Sequence, residues 1–179
     1  VFSALSIPVG ANAIWTGATD AAWSTASNWS PAVVPSGSSS VFIPAGTSNS
    51  PSLASSASVG DIMIASGATL AIGAQSLSVG GNLIATSASM TGSTGYVYFC
   101  GGTHTYAGAS FAMIVDCGAT VNPSGVGTIG GGLTVQGGSV FAVGSGDVTV
   151  AGGLGVYGGA RIQMITAGGH LTVNGLADF

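Results

Sequence analysis

Ile129-Gly-Gly-Gly-Leu-Thr-Val135, Val148-Thr-Val-Ala-Gly-Gly-Leu-Gly-Val156 and Ile165-Thr-Ala-Gly-Gly-His-Leu-Thr-Val173 share one layout: an aliphatic run, a glycine pair, then a second aliphatic run. Leu77-Ser-Val-Gly-Gly-Asn-Leu83 repeats it further upstream. Strict alternation of aliphatic and small polar residues is the period of a strand with one buried face. Leu133, Val135, Val148 and Val150 are therefore predicted to point inward, with Thr and Ser outward, and the glycines to supply corners. The pairs at 131–132, 152–153 and 168–169 lie 21 and then 16 residues apart. Spacing of that order predicts coils with loops of unequal length. One coil cannot bury its own apolar face, so each must stack on the next.

Composition agrees with an all-β chain. There is no Lys or Glu and one Arg, Arg161, so no segment offers the polar face of an amphipathic helix. Charged residues make up 3% of the 179 residues, and the net charge is −4. A surface so poor in charge lacks the repulsion that keeps copies apart, and self-association is the expectation. Nucleic-acid binding is excluded for want of a basic footprint. No apolar run is long enough for a membrane-spanning helix.

Three zones follow from the text of the chain. Residues 1–13 (VFSALSIPVGANA) are apolar and end in the small-x-small triplet Ala11-Asn12-Ala13. They read as the end of a secretory signal, as a strand folded back on the chain, or as a strand donated to a neighbour. In a strand Val1, Leu5, Ile7 and Val9 share one face, and Phe2 joins them as a candidate at a subunit joint. Residues 14–60 hold Trp15, Trp23 and Trp29 among prolines and serines. An irregular aromatic segment before an array suits a cap over an open coil end. The other reading is a glycan-binding platform made of the same three indoles. Residues 61–179 form the repeat array, whose final strand carries the remaining joint candidates Leu171, Val173 and Phe179.

The array resembles the β-solenoid repeats of secreted bacterial surface proteins, including autotransporter passenger-like domains. The stretches behind this are SLSVGGNL (76–83), ASGATLAIG (65–73) and GGLTVQGGSV (131–140). Trp15 and NWSPAVVPS (28–36) are similar to the segment that often precedes such repeats. The resemblance implies a right-handed parallel β-helix, an extracellular location, and an adhesive, scaffold or filament role rather than catalysis.

Cys100 and Cys117 are 17 residues apart, close to one coil. If Tyr96–Cys100 and Met113–Cys117 stack as equivalents, their Cα atoms lie about 4.8 Å apart, within disulfide reach. Two buried free thiols are the other reading. Asp20, Asp61, Asp116, Asp147 and Asp178 are dispersed, and each reads as a turn or corner residue bonding its own backbone. His104 is expected in a loop and His170 at a strand start, too far apart in sequence for a metal site. No serine sits in a nucleophile elbow, and Asn28-Trp29-Ser30 is a weak glycosylation sequon followed by Pro31. The expectation is a non-enzymatic, cofactor-free structural subunit. It would polymerise with itself through end-to-end coil stacking and N-terminal strand addition. A surface adhesin that binds cell-surface or matrix glycans is the alternative.

Overall fold

Alternation in the sequence becomes stacking in space. The computed structural model describes residues 10–85, 89–110 and 112–179. β1 (Ala13–Trp15) pairs antiparallel with β2 (Trp29–Ser30), placing Trp15 opposite Trp29. β1 also pairs parallel with β3 (Val41–Ile43). The parallel stack thus begins inside the stretch read as a cap, well before Asp61.

From there the chain winds through β4 (Ala57–Val59), β5 (Ile62–Ile64), β6 (Thr69–Gly73) and β7 (Ser76–Val79). The next turn is β8 (Leu83–Ala85), β9 (Ser89–Gly92) and β10 (Tyr96–Cys100). It continues as β11 (Thr103–Ser110), β12 (Ala112–Asp116), β13 (Thr120–Ile129), β14 (Leu133–Val135) and β15 (Val140–Val143). The last turns use β16 (Val148–Val150), β17 (Leu154–Val156), β18 (Arg161–Met164), β19 (Leu171–Val173) and β20 (Ala177–Asp178). Every pairing from β3 onward is parallel, and the result is a β-solenoid of about six turns.

Two sheets carry most of the stack. The first is 11-stranded and contains β1, β3, β5, β8, β11 and β13 in succession. It then forks: Thr120 and Val121 of β13 pair with β15, whereas Gly127–Ile129 pair with β16. The second runs β4, β7, β10, β12, β14, β17, β20. β6 and β9 form a short third sheet.

One coil is markedly shorter than the others. Leu77 sits over Ala57 and Val97 over Leu77, steps of 20 residues, but Met113 sits over Val97 after only 16. The short coil is explained by its strands. β11 leads to β12 with no strand of the third sheet between them, because β11 is long enough to cover two faces. Its register shifts at Tyr106/Gly108, where the Tyr106 ring turns into the core. A Cβ on Gly127, the register partner of Gly108, would lie 3.0 Å from Tyr106 Cε1, so the aromatic ring leaves little room for a side chain there on the next coil.

The glycine pairs do not all stack on one another as their spacing suggested. Gly152 N–H donates to Gly131 O, and Gly175 N–H donates to Gly152 O. Gly168–Gly169 belongs to another corner, where Gly169 closes against Gly144 and Gly146. The 16-residue spacing of the pairs is therefore not a coil length.

Inward rows such as Ile62–Leu83–Tyr106 and Val97–Met113–Leu133–Leu154 are buried and continuous from coil to coil. Each fully buried aliphatic side chain contributes about 1.5–3 kcal/mol, so these rows rather than surface pairs hold the stack. Thr134 and Thr149 do point outward, as the alternation predicted. The outward row of the first sheet differs at its two ends. It reads Ile14, Phe42, Met63, Ile84 in the early coils and Thr128, Thr149, Thr172 in the late ones. Phe42 holds an outward position yet is 1% exposed.

Candidate functional site

The three indoles pack on each other. Trp29 meets Trp15 edge-on at 5.0 Å between centroids and Trp23 at 4.7 Å. Edge-to-face geometry lets the positive ring edge meet the negative ring face. Trp15 Nε1 donates to Asn49 O at 2.7 Å and Trp29 Nε1 to Trp23 O at 2.8 Å, while Trp23 Nε1 has no partner among the described residues. None of the three is more than 4% exposed. A glycan platform made of these indoles is not what the fold builds, because their faces are consumed by packing. They form a Trp cluster at the N-terminal end of the stack.

The loop leading to Trp29 is fixed by Asn28, itself fully buried. Its Oδ1 accepts the N–H groups of Thr19 (2.9 Å) and Asp20 (3.1 Å), and its Nδ2 donates to Asp20 Oδ1 (2.6 Å) and Ala22 O (3.0 Å). The Asn28 amide, then the Ala22 N–H and the Thr25 hydroxyl, hold the Asp20 carboxyl below the usual carboxylate range.

Corners of the first sheet carry a polar ladder. Asn12 Oδ1 accepts from Ser40 N, and Ser40 Oγ donates to Asp61 Oδ2 at 3.4 Å. Asp61 Oδ1 accepts from both Asn82 N (2.8 Å) and Asn82 Nδ2 (3.0 Å), and Asn82 Oδ1 accepts from Thr105 N. In the late coils Asp147 Oδ1 accepts from His170 N at 3.2 Å. Asp61 and Asp147 are corner residues, but they bond the backbone of the next coil instead of their own. Asp20 and Asp116 do bond their own turns, at Ala22 N and Cys117 N. The sequence signal for the ladder was available: Ser40, Asp61 and Asn82 each precede a first-sheet strand at steps of 21 residues.

Cys100 and Cys117 form a disulfide with Cα atoms 5.0 Å apart. The register differs by one from the expectation, because Cys100 stands opposite Asp116. Cys117 lies just beyond, in the left-handed region at φ 57°. Beside it Asp116 accepts from Gln136 Nε2 (2.9 Å) and Tyr98 Oη (3.3 Å). Those donors and Cys117 N–H lower the Asp116 pKa, the Gln136 amide most. Burial, then the Asp116 charge, raises that of Tyr98. Asp178 accepts from Tyr157 Oη at 3.2 Å. All five carboxylates are thus held by neutral donors at separate places. Among the described residues no group of three or more His, Cys, Asp or Glu is placed to hold a metal ion.

His104 corrects the loop expectation. It lies in β11, 1% exposed, with Nδ1 2.8 Å from Gly81 O and Nε2 against Gly101 O, and its ring tilts on Phe99 at 5.0 Å. His170 sits directly before β19, as expected.

Of the joint candidates, Val1, Phe2, Leu5, Ile7 and Val9 lie outside the described residues. Gly10, the first described, borders a cavity of about 280 Å³ that is also lined by Ala11, Met63 and Ile84. Leu171 and Val173 are half-buried in β19, and Phe179, past β20, is 83% exposed. β18, β19 and β20 each pair on one side only among the described strands. Met164, Ile165 and Leu176 are exposed on the same terminal coil.

A family model described as a domain of unknown function (DUF8693) matches residues 14–97, which covers the Trp cluster and the first coils. No curated protein and no solved structure matches the chain.

Proposed function

We propose that this chain is an extracellular structural subunit that polymerises by adding coil to coil. The observation that carries the reading is the coil-to-coil joint itself: among the described residues, parallel main-chain ladders and continuous buried apolar rows seat each coil on the one before it. A joint of this kind is a template that a strand of another copy can use as well as one of the same chain. The apolar outward pair Met63 and Ile84, with the cavity at Gly10, offers a matching surface to the apolar residues 1–9 of the same or a neighbouring chain. A disulfide supports an oxidising compartment, and 3% charged residues supports association without charge repulsion. No helix among the described residues is long and apolar enough to cross a membrane.

The test is electron microscopy of the secreted full chain beside a variant lacking Val1 to Gly10. Fibres in the full chain and none in the truncation support a joint made through the N-terminal arm. Fibres in both place the joint between coil ends. Dispersed particles in both sink the proposal. Because main-chain bonds and apolar contacts hold the joint, moderate salt leaves the fibres intact.

A further inference from the structure

Outward residues of the second sheet form columns across the early coils. Ser58, Ser78 and Tyr98 stand in register, as do Ser76 and Tyr96. Two cavities lie along this face. One, of about 320 Å³, is bordered by Trp23, Val34, Pro35, Ser24, Ser55 and Ser58. The other, of about 300 Å³, is bordered by Gly37, Ser58, Ser78, Gly80 and Tyr98. They adjoin at Ser58 and are treated together as one trough. It runs from the Val34–Gly37 loop to Tyr98, whose ring meets that of Tyr96 edge-on at 6.4 Å.

Three features of the trough specify its ligand. No ionisable acid or base other than tyrosine borders either cavity, so an anionic or cationic guest would lose hydration with no counter-charge to replace it. The nearby Asp116 is already engaged by Tyr98, Gln136 and Cys117 N–H. The hydroxyls of Ser24, Ser55, Ser58 and Ser78 have no partner among the described residues and can both donate and accept. Small residues make the floor, while Tyr98, Val34 and Pro35 give apolar contact at the two ends.

We infer that this trough is a binding site for a neutral, linear oligosaccharide. Its pyranose faces lie on Tyr98 and Pro35, and its hydroxyls bond the serine columns, which repeat at the strand spacing of about 4.8 Å. The inference is independent of coil-to-coil polymerisation, and it moves glycan recognition from the buried indoles to Tyr98 and the serines.

Titration calorimetry of the full chain with hexasaccharides of cellulose, chitin, xylan and mannan tests it, with oligogalacturonate as the acidic control. At least one neutral probe binds and the acidic one does not. Tyr98→Ala weakens binding at least about tenfold, a loss of about 1.4 kcal/mol, whereas Tyr98→Phe keeps the ring and stays within about threefold. Ser78→Leu fills the floor beside Tyr98 and abolishes binding, and an unchanged far-ultraviolet circular dichroism spectrum in each variant certifies the fold. Absence of binding by all four neutral probes overturns the inference, as does binding that survives Ser78→Leu. Loss of self-association in these variants with no saccharide binding overturns it too, and assigns the trough to a contact between copies.

Discussion

Cys117 stands one residue beyond the register partner of Cys100. The chain reaches the bond by turning through φ 57° at Cys117, which brings the two Cα atoms to 5.0 Å. The bond clips together the two coils flanking the 16-residue step. Closing a loop of this length removes unfolded-state entropy worth about 3 kcal/mol. Cys100→Ser/Cys117→Ser is expected to lose about that much in urea denaturation. Cys100→Ser/Cys117→Gly recovers about 1 kcal/mol of it, because glycine carries no penalty in the left-handed region. Equal stability of the two double variants would contradict strain at Cys117.

Asp61 acts only as an acceptor, taking hydrogen bonds from Asn82 N, Asn82 Nδ2 and Ser40 Oγ. Charge is not needed for that. Asp61→Asn is expected to stay within about 0.5 kcal/mol of the parent, whereas Asp61→Ala leaves donors unpaired and costs about 1–3 kcal/mol. Denaturation midpoints of both variants at one ionic strength make the comparison.

Gly146 shows a steric demand with no unusual backbone angle. A Cβ there would overlap Gly125 O and lie 2.7 Å from Gly125 Cα, both parts of the backbone, which no rotamer change relieves. Gly146→Ala is expected to separate the late coils from β13 and cost more than about 3 kcal/mol. Limited proteolysis should then cut first after residue 146, with the early coils and their Trp fluorescence intact.

Acid should loosen the fold in a defined window. Asp20 and Asp116 titrate below the ordinary carboxylate value in the folded chain. The unfolded chain therefore takes up these protons first as pH drops below about 3.9, and stability falls. It is fully present above that value and gone below the two depressed values. Tyr98 works in the opposite sense. Its raised value gives stability that is intact below about pH 10 and lost as pH rises through it. Urea midpoints across the acid range should drop less steeply in Asp116→Asn, and an unchanged acid profile would remove Asp116 from the account.

Much of this architecture is legible in the sequence. Alternation in Leu133-Thr-Val135 and Val148-Thr-Val150 identifies buried faces, because a two-residue period has one solution in a sheet. Glycines mark corners for the same local reason. Register was harder, since stacking depends on which residues oppose each other across 16 to 23 positions, and glycine pairs alone mispaired Gly168–Gly169. The fate of the Trp residues was also hidden. Trp15, Trp23 and Trp29 are near in sequence whether they form a platform or a core, and only burial separates the two. The trough went unread because Ser58, Ser78 and Tyr98 become neighbours only through the register of β4, β7 and β10.

The long strands β11 and β13 join two differently phased stacks. Before them a coil passes from first sheet to third sheet to second. After them it passes along both branches of the forked first sheet and then to the second. Modular growth is constrained by that splice. Duplicating the 21-residue cassette from Ile62 to Asn82, or the one from Leu133 to Gly153, inserts a rung whose two edges match its new neighbours. A copy cut across Tyr106 carries one phase at its start and the other at its end, and finds no seat in either half. Lineages of this fold can therefore lengthen on either side of the splice while the splice itself stays single.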